Sequence, residues 1–362
     1  MKNFPKSLSK KLEERKKNNA LRTLMKSDGK VDFFSNDYLG VAQLVFDTEA
    51  QSGSTGSRLI SGNSARTEEI EKDLAEFFKQ ESALLFNSGY DANLGFFSSV
   101  PLKGDTVIYD SLVHASIRDG VRMSLAKSYS FKHNDINSLR QKLSRAEGNV
   151  YVVVESIYSM DGDKALLKEI AEVCKDAQAY FIVDEAHAGG ISGPKGEGMV
   201  SELGLDEDVF AKIVTFGKAY GSHGAVVLGP SDLHTYLLNF SRSLIYTTAL
   251  SPHAQERIHE AVLSVGEMHG ERYQLERNIV LFKSSINEGK YNLIPSESAI
   301  QSIVVPGNNE VKALANKIQD GGFAVKAILS PTVPLGEERL RICIHSYNTE
   351  KEIIALSHLI ND

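Results

Sequence analysis

The sequence contains only two cysteines, Cys174 and Cys343, among its 362 residues. They lie far apart and match the spacing of neither a disulfide framework nor a zinc site, so we expect no disulfide and no bound metal. No apolar run of about 18 residues is present, which argues against a transmembrane helix. The basic N-terminus has no apolar core and does not match a signal peptide. We therefore expect a cytoplasmic protein without a membrane partner.

Positive charge is also scarce overall, since 40 Lys and Arg are outnumbered by 47 Asp and Glu, giving a net charge of −7. A chain without a basic excess is poorly suited to neutralising phosphates, so nucleic acid is not an expected partner. The exception is the basic arm, residues 1–30, whose net charge is +7 against −14 for the remainder. The arm is either a solvated helix or a docking surface for an acidic partner or a phosphate-bearing substrate.

Three common catalytic or nucleotide-binding motifs are missing. The sequence has no G-x-G-x-x-G, no G-x-x-x-x-G-K-[ST] and no H-E-x-x-H. The Gly/Ser-rich stretch "GSTGSRLISGN" (53–63) lacks the lysine of a P-loop. A Rossmann dinucleotide site, a P-loop and a zinc-protease site therefore have no support.

Short apolar runs alternate with helix-length segments between residues 82 and 229. The runs are "SALLFNSG" (82–89), "DTVIYD" (105–110), "NVYVVVES" (149–156), "AYFIVDEAH" (179–187), "KIVTFGK" (212–218) and "GAVVLG" (224–229). Runs that are apolar on both faces are typical of parallel strands covered by helices. This region therefore predicts an α/β domain with a mostly parallel sheet.

The pattern changes after residue 252, where a long helical stretch is followed by short strands and helices. Thr349 and Glu352 have the spacing of a capping box at the start of the last helix. We predict an N-terminal arm and segment (1–40), a large domain (41–252), and a linking helix with a small α+β domain (253–362).

Polar residues collect where the predicted strands end, which is where open α/β sheets bind ligands. They are Ser88, Gly89, Tyr90, His114, Glu155, Ser159, Asp184, His187, Thr215 and Lys218. The set meets the needs of pyridoxal phosphate. This cofactor requires a lysine for a Schiff base, a carboxylate at the ring nitrogen, a stacked flat side chain, donors to the phenolic oxygen, and a phosphate cradle.

Three of these residues carry the prediction. Lys218 follows an apolar strand, where a buried ammonium is costly unless it is paired or converted to an imine. Asp184 ends a strand and needs a cation such as a pyridinium, and His187 can reach the phenolic oxygen. Taken singly, Lys218 could be a surface lysine, Asp184 half of a structural salt bridge, and His187 a core histidine. Their combination favours a cofactor site.

The ordered set of motifs resembles one enzyme family. The motifs are "GSTGSRLISGN", "NSGYDANLG", "HAS", "SIYSMDGD", "IVDEAHAGG", "TFGKAYG", "LIYTTALSP", "SPTVP" and "RLRICI". From about residue 20 onward the sequence resembles the α-oxoamine synthases, which depend on pyridoxal phosphate. The resemblance implies a fold-type-I transferase with a mostly parallel seven-stranded sheet, a small α+β domain, and a homodimer with its active site at the subunit interface.

The resemblance also implies roles for individual residues. Lys218 corresponds to the Schiff-base lysine and Asp184 to the partner of the ring nitrogen. The other cofactor positions are His187 and Ser159 at the phenolic oxygen, His114 over the ring, Gly89, Tyr90 and Thr215 around the cofactor, and Thr247 or Thr248 lent to the phosphate by the neighbouring subunit. The substrate positions are Arg341 at the amino-acid carboxylate, and Arg22, Asn36 and Thr332.

Within this family, the sequence is most similar to members that join L-alanine to a pimeloyl thioester of CoA or acyl carrier protein in biotin synthesis. The alternatives in the family are glycine C-acetyltransferase and serine palmitoyltransferase. A transaminase on the same fold and a non-catalytic binder of pyridoxal phosphate are further hypotheses. The complete catalytic set argues against the non-catalytic binder, whereas a transaminase would need a second half-reaction that releases the aminated cofactor.

Overall fold

The computed structural model describes residues 4–287 and 289–362. The strands are β1 (Val31–Asp32), β2 (Ser82–Phe86), β3 (Thr106–Asp110), β4 (Lys127–Phe131), β5 (Val150–Glu155), β6 (Tyr180–Asp184), β7 (Ala211–Thr215), β8 (Ala225–Gly229), β9 (Asn292–Leu293), β10 (Ile300–Val304), β11 (Phe323–Ala324), β12 (Lys326–Ile328) and β13 (Arg339–Cys343). The helices are α1 (Lys6–Lys17), the 3₁₀ helix η1 (Val41–Gln43), α2 (Ala65–Phe77), α3 (Gly89–Ser99), α4 (Ala115–Met123), α5 (Ile136–Leu143), α6 (Leu167–Asp176), α7 (Met199–Glu202), α8 (Ser231–Phe240), α9 (Arg242–Ile245), α10 (Pro252–Glu267), α11 (His269–Ser285), α12 (Asn308–Asp320) and α13 (Glu350–Asn361).

The chain divides into two compact units. The large unit comprises Asn36–Ser159 and Lys164–Arg272. The small unit comprises the residues up to Ser35, together with Met160–Asp163 and Tyr273–Asp362.

The large unit is built on a seven-stranded sheet with the strand order β2-β8-β7-β6-β5-β3-β4. β8 runs antiparallel to both of its neighbours, whereas every other adjacent pair is parallel. Six strands therefore run in one direction. The predicted α/β fold with a mostly parallel seven-stranded sheet is confirmed.

Successive residues of the central strands enter two separate hydrophobic cores. Val153 of β5 and Ile182 of β6 belong to the core that includes residues of α3, α4 and α8. Their neighbours Val152 and Val183 belong to the core that includes residues of α5 and α6. All four side chains are fully buried. Burial on both faces explains why these strands appear in the sequence as continuous apolar runs.

The edge strand β4 was not among the runs identified from the sequence. It pairs in parallel with β3, and of its five residues only Phe131 is buried. Its sequence, "KSYSF", has no apolar run because most of its side chains lie outside the cores. Hydrophobic patterning therefore could not reveal it.

The small unit contains a four-stranded antiparallel sheet with the order β12-β13-β10-β9 and a parallel pair, β1 and β11. At the start of α13, the hydroxyl of Thr349 accepts from the backbone N–H of Glu352, and the Glu352 carboxylate accepts from the N–H of Thr349 at 2.7 Å. The predicted capping box is confirmed.

The long helical stretch predicted after residue 252 consists of two helices, α10 and α11, which are interrupted at Met268. That residue has φ −79° and ψ 52°, outside the α-helical region. The guanidinium of Arg272 donates to the carbonyl of Val265 at 2.6 Å. The same carbonyl accepts from the backbone N–H of Met268 at 3.1 Å, so a side chain adds a second bond to a carbonyl at the end of α10.

Helix α1 carries much of the basic arm, and none of its residues is buried. Lys2, another base of the arm, lies outside the described residues. Within 4–287 and 289–362, no helix combines the length and the apolar character needed to cross a bilayer.

Candidate active site

The predicted residues of the large unit lie at one edge of its sheet. β5, β6 and β7 end at Glu155, Asp184 and Thr215. Glu155 pairs in register with Asp184, and Asp184 pairs with Ile213 of β7. Because these three strands are parallel, their carboxyl ends meet and their final side chains are brought together.

Lys218 follows β7 and is held by a histidine. Its side chain is half-buried, and its Nζ lies 2.8 Å from Nε2 of His187. The imidazole of His187 is buried. The amine of Lys218 is therefore positioned by His187 at the carboxyl ends of the strands.

The turn after Lys218 depends on a glycine. The N–H of Gly221 donates to the carbonyl of Lys218 at 2.8 Å, and Gly221 has a positive φ of 53°. A Cβ at this position would come within 2.1 Å of the backbone nitrogen of Ala42. Only glycine combines this conformation with such a close approach of two backbone segments.

The fully buried lysine of this region is Lys212, at the other end of β7. Its ammonium donates to Asp206 Oδ1 at 2.8 Å and to the carbonyl of Phe78 at 2.5 Å. The requirement that a buried ammonium be paired is thus met at Lys212 by a carboxylate and a carbonyl. The sequence argument that a buried lysine needs a partner therefore did not distinguish the structural Lys212 from the candidate catalytic Lys218.

Asp184 is buried, and both carboxylate oxygens accept hydrogen bonds. Oδ1 accepts from the backbone N–H of Ala186 at 2.9 Å, and Oδ2 accepts from the side-chain amide of Asn93 at 2.7 Å. Asn93, on α3, is also buried. Sequence reasoning missed Asn93, although it stands in the motif "NSGYDANLG". These donors fix the orientation of the carboxylate.

Glu155 lies beside Asp184 and is fully buried. Burial and, to a smaller extent, the negative charge of Asp184 raise the pKa of Glu155 to about 8, against the opposing charge of Lys218. Backbone groups of His114 and Ser159 hydrogen-bond this carboxyl group and partly oppose that effect. Glu155 is therefore a neutral acid at neutral pH. Through these two hydrogen bonds it links Ser159 to the segment that carries His114.

His114 caps the N-terminus of α4. Its Nδ1 accepts from the backbone N–H of Ser116 at 3.2 Å, which places the proton of the neutral ring on Nε2. Partial desolvation lowers the pKa of His114; the charge of Asp184 opposes this effect, and the charge of Lys218 adds to it. The side chain is accessible. His114 therefore presents a neutral ring with an N–H donor.

The residues predicted to hold a phosphate form a narrow cradle. Ser88 is the N-cap of α3, and its hydroxyl accepts from the N–H of Asp91 at 3.1 Å. A Cβ at Gly89 would lie 2.2 Å from Oγ1 of Thr215, so the hydroxyl closely approaches the first turn of the helix. First-turn N–H groups beside a hydroxyl suit an anion. The residues present therefore fit the phosphate of pyridoxal phosphate.

Two other predicted cofactor positions have different surroundings. The hydroxyl of Tyr90 donates to Asp119 Oδ2 at 2.6 Å, and this bond raises the pKa of Tyr90. The amide of Asn87 donates to Thr247 Oγ1 at 3.2 Å and to the carbonyl of Thr248 at 2.8 Å. Both threonines thus lie beside the residue that precedes the cradle. Their contribution to a neighbouring subunit stays a prediction.

His187 has a second partner that sequence reasoning missed. Its Nδ1 lies 2.8 Å from the hydroxyl of Tyr38, which in turn donates to Asn36 Oδ1 at 3.2 Å. Tyr38 is fully buried. The predicted substrate position Asn36 is thus connected to Lys218 through two side chains.

The small unit contains the other predicted substrate residues. Arg22 donates to Thr332 Oγ1 at 3.1 Å. Arg341, on β13, is buried and donates to the sulfur of Cys343 at 2.9 Å. The contact between Arg22 and Thr332 joins two positions that are far apart in the sequence.

Arg22 and Thr332 line a cavity of about 810 Å³ within the small unit. Three further cations line it, Arg15, Lys312 and Lys326, and its described lining includes no Asp or Glu. The rest of the wall is largely apolar and includes Leu21, Leu24, Met25, Ile328 and Leu329. Positive charge without a compensating carboxylate, combined with an apolar wall, suits an anionic ligand with a hydrocarbon chain. We refer to it as the cationic cavity.

Among the residues that the structure describes, no group of three or more His, Cys, Asp or Glu side chains could hold a metal ion.

The comparisons with known proteins identify the family of this chain. The model of the aminotransferase class I and II family matches residues 28–357. The 8-amino-7-oxononanoate synthase of Emericella nidulans is 40% identical over 365 residues, which cover 91% of this chain and 88% of the relative.

Two solved structures are similar over almost the whole chain. A serine palmitoyltransferase from S. paucimobilis, solved with bound PLP, has a TM-score of 0.91 and 27% identity, and the match covers 99% of this chain and 98% of that one. The 8-amino-7-oxononanoate synthase of Francisella tularensis has a TM-score of 0.79 and 28% identity, and the match covers 92% of this chain and 97% of that one.

Proposed function

This chain belongs to the aminotransferase class I and II family and is an enzyme that uses pyridoxal phosphate; we propose that it makes 8-amino-7-oxononanoate for biotin synthesis. In the proposed reaction, L-alanine condenses with a pimeloyl thioester of CoA or acyl carrier protein, and the carrier thiol and CO₂ are released. The relative from Emericella nidulans, which is named for this product, supports the proposal.

The cationic cavity is the observation that favours a pimeloyl donor. A pimeloyl group ends in a carboxylate, whereas acetyl and palmitoyl groups end in a methyl group. Arg22 and the other three cations would compensate that charge, and the apolar wall would contact the methylene chain. A methyl-ended chain would itself bring no anion to the four cations.

The residues at the strand ends fit the cofactor, which supplies an electron sink for a carbanion beside the amino group of the amino acid. In our proposal, Lys218 holds the aldehyde and Asp184 pairs with the ring nitrogen. The remaining holders are His187 and Ser159 at the phenolic oxygen, His114 against the ring, and Ser88, Gly89, Tyr90 and Thr215 around the phosphate, with Glu155 supporting His114 and Ser159.

Each polar group at the site then has a chemical task. Arg341 orients the carboxylate of the amino acid with its two parallel N–H groups. As a free amine, Lys218 would remove the α-proton of the amino acid and later return a proton to the same carbon. The Nε2–H of His114 donates to the oxygen of the thioester carbonyl as negative charge develops there.

Serine palmitoyltransferase activity is the second candidate, and a specific observation favours it. The match to the serine palmitoyltransferase structure has the higher TM-score, 0.91 against 0.79. Backbone similarity reports the shared fold, however, while substrate choice depends on the side chains that line the cavity. The cations of that cavity favour the donor that carries a carboxylate.

The proposal is tested by a matrix of amino acids and acyl thioesters, with release of CO₂ as the readout. L-Alanine with a pimeloyl thioester should give the highest rate, and the matched methyl-ended heptanoyl thioester should be much slower. Equal rates with the two donors would contradict the role of the cavity. Activity with L-serine and palmitoyl-CoA would establish the second candidate, and pyruvate formed from L-alanine alone would indicate a transaminase.

We also propose a homodimer in which Thr247 or Thr248 contacts the phosphate bound by the neighbouring subunit. Two inactive variants, Lys218→Ala and the double variant Thr247→Ala/Thr248→Ala, should regain part of the activity when their subunits are mixed. In a mixed dimer, one site combines the intact lysine with the intact threonines. Failure to regain activity, with mixing demonstrated by mass, would contradict the shared site.

A further inference from the structure

The basic arm forms one side of a groove in the small unit. Its helix, α1, carries six Lys or Arg and two Glu, and none of its residues is buried. The groove has a volume of about 1160 Å³ and is lined by residues of the arm and by residues 307–310, 330, 331 and 335. We refer to it as the arm groove. A partner bound there would contact several elements of the small unit at once.

The end of α1 is fixed against the start of α12. The side-chain amide of Asn308 donates to the carbonyl of Asn18 at 2.9 Å, and that of Asn19 donates to Asn309 Oδ1 at 2.6 Å. The ammonium of Lys312 donates to Asn19 Oδ1 at 2.7 Å. The arm groove is therefore preformed, which lowers the entropic cost of binding a partner.

Exposed apolar side chains follow one another along the arm groove. Phe4, Leu8 and Leu12 are spaced four residues apart and all line the groove. Leu335 lines it as well, and each of the four side chains is at least 44% exposed. A contiguous exposed apolar patch indicates an interaction surface.

Positive charge accompanies this apolar patch. The charged residues that line the groove are Lys11, Arg15 and Lys17, together with Glu14 and Glu310. Helix α1 has a net charge of +4 over its 12 residues, a length of about 18 Å. The complementary partner is a protein face that is apolar at its centre and acidic around it.

We propose that the arm groove docks an acidic acyl carrier protein that brings the pimeloyl thioester to the enzyme. This inference rests on the proposed function, in which the donor is a thioester of CoA or acyl carrier protein. CoA fits the groove less well, because its phosphates lie at one end of the molecule while the cations extend along the helix. An anionic membrane also fits less well, since Phe4, Leu8 and Leu12 line a groove instead of projecting from a convex surface.

The position of the arm groove agrees with a role in delivering the donor. Arg15, Ala20 and Ser330 line both this groove and the cationic cavity. A carrier bound in the groove would therefore lie next to the cavity that we propose for the acyl chain. Docking would raise the local concentration of the donor there.

Docking is measured first without turnover, as the Kd between the full-length enzyme loaded with pyridoxal phosphate and the acyl carrier protein of the same organism, carrying no acyl group. Lys11→Glu/Lys17→Glu reverses two exposed cations of the groove and should raise this Kd about tenfold or more at low salt. Lys103→Glu/Lys168→Glu makes the same change of charge at exposed positions of the large unit and should leave the Kd unchanged. A parent protein without measurable affinity, or equal Kd values for the parent and Lys11→Glu/Lys17→Glu, would overturn the proposal.

Kinetics separate a failure of docking from a failure of the proposed function. In Lys11→Glu/Lys17→Glu, the KM for the pimeloyl thioester of acyl carrier protein should rise with the Kd, while the KM for pimeloyl-CoA should stay at the parental value. An equal rise of both KM values would assign these cations to CoA and overturn the docking. An enzyme inactive with both donors would contradict the proposed function, and the Kd would still decide the docking.

Leu8→Ala/Leu12→Ala tests the apolar patch and keeps the charge of α1. It should also raise the Kd for the carrier protein, because two apolar contacts are lost. If this variant instead changes the mass of the enzyme oligomer, the groove is covered by a second copy of the chain. If the parent protein sediments with phosphatidylglycerol vesicles and the variant does not, the groove binds a membrane. Either result would overturn the proposal.

Discussion

The strand ends of the large unit and the cationic cavity of the small unit hold their polar groups in opposite ways. At the strand ends, Asp184 accepts from two donors, and Lys218 contacts His187. In the cavity, four cations line one space without a carboxylate in the described lining. The polar groups of the first region are hydrogen-bonded within the protein, whereas in our proposal the charge of the second region is completed by the ligand.

This difference assigns a different task to each region. Groups that move protons need fixed positions, which a closed network of buried hydrogen bonds provides. A recognition cavity gains affinity from the charge that a ligand completes. Substitutions at the strand ends should therefore lower kcat, whereas substitutions in the cavity should raise KM for the acyl donor.

The largest expected effect is that of Lys218→Ala. Loss of the amine that holds the cofactor and carries the proton should reduce turnover by about 10⁴-fold or more. The absorbance of the lysine–cofactor imine should disappear as well. Both are measured on the purified protein after incubation with pyridoxal phosphate.

The control is Lys103→Ala, which removes an exposed lysine of the large unit. It should retain the imine absorbance and the parental rate. A Lys218→Ala protein with the full parental rate would exclude Lys218 as the catalytic amine.

The next effect is that of Asp184→Asn, which we expect to lower kcat about 10³-fold. The neutral amide cannot keep the ring nitrogen protonated. It also meets two donors, the N–H of Ala186 and the amide of Asn93, with only one acceptor oxygen. The rate of exchange of the α-hydrogen of L-alanine with solvent measures this step without the acyl donor.

Asn93→Leu is the comparison variant, because it removes one of the bonds to Asp184 and keeps the charge. Its exchange rate should fall less, by about tenfold, the effect of one hydrogen bond to a charged group. If both variants exchange the α-hydrogen of L-alanine at the same rate, the charge of Asp184 does not determine that rate.

Much of the large unit could be predicted because its strands are buried on both faces. β5 and β6 appear as apolar runs, and their last residues, Glu155 and Asp184, are polar side chains at the edge of a parallel sheet. β4 could not be identified this way because its side chains are mostly exposed.

The supporting residues of the site were harder to find. Asn93 and Tyr38 act through single hydrogen bonds to residues far away in the sequence, and no spacing rule predicts such a pair. Arg22 was assigned by resemblance, but the three cations that line the cavity with it come together only in the fold. Pairing of distant side chains is set by packing, which a local pattern does not contain.

In the cavity, Arg22→Gln should raise the KM for a pimeloyl thioester about tenfold to 100-fold, as expected for a lost bond between two charged groups. The kcat and the KM for L-alanine should change little. Steady-state kinetics with each substrate varied in turn provide these values.

Arg145→Gln, which removes an exposed arginine of the large unit, is the control for overall charge. A heptanoyl thioester, which lacks the distal carboxylate, should show the same KM in the parent protein and in Arg22→Gln. Parental kinetics of Arg22→Gln with the pimeloyl donor would show that Arg22 does not contact the carboxylate.

The smallest effect concerns the pH dependence of stability at the strand ends. Burial raises the pKa of Glu155 to about 8 from an ordinary value of 4.5, so the folded protein keeps a proton that the unfolded chain releases. Stability from this group is present below pH 4.5 and is lost as the pH rises towards 8. Glu155→Gln cannot ionise, so its free energy of unfolding should fall less over this range.

A second buried acid, Glu185, allows the effect to be assigned to Glu155. Burial raises the pKa of Glu185 to about 7, so its contribution is already lost near that pH, whereas that of Glu155 continues to decline up to about 8. Urea unfolding of the cofactor-free protein should show a decline between these two values, at most about 1.4 kcal/mol per pH unit, that persists in Glu185→Gln and is absent in Glu155→Gln. An equal decline in both variants would mean that Glu155 is already ionised in the folded protein. The strand ends would then hold two adjacent negative charges, and their network would need a cation such as the cofactor to close it.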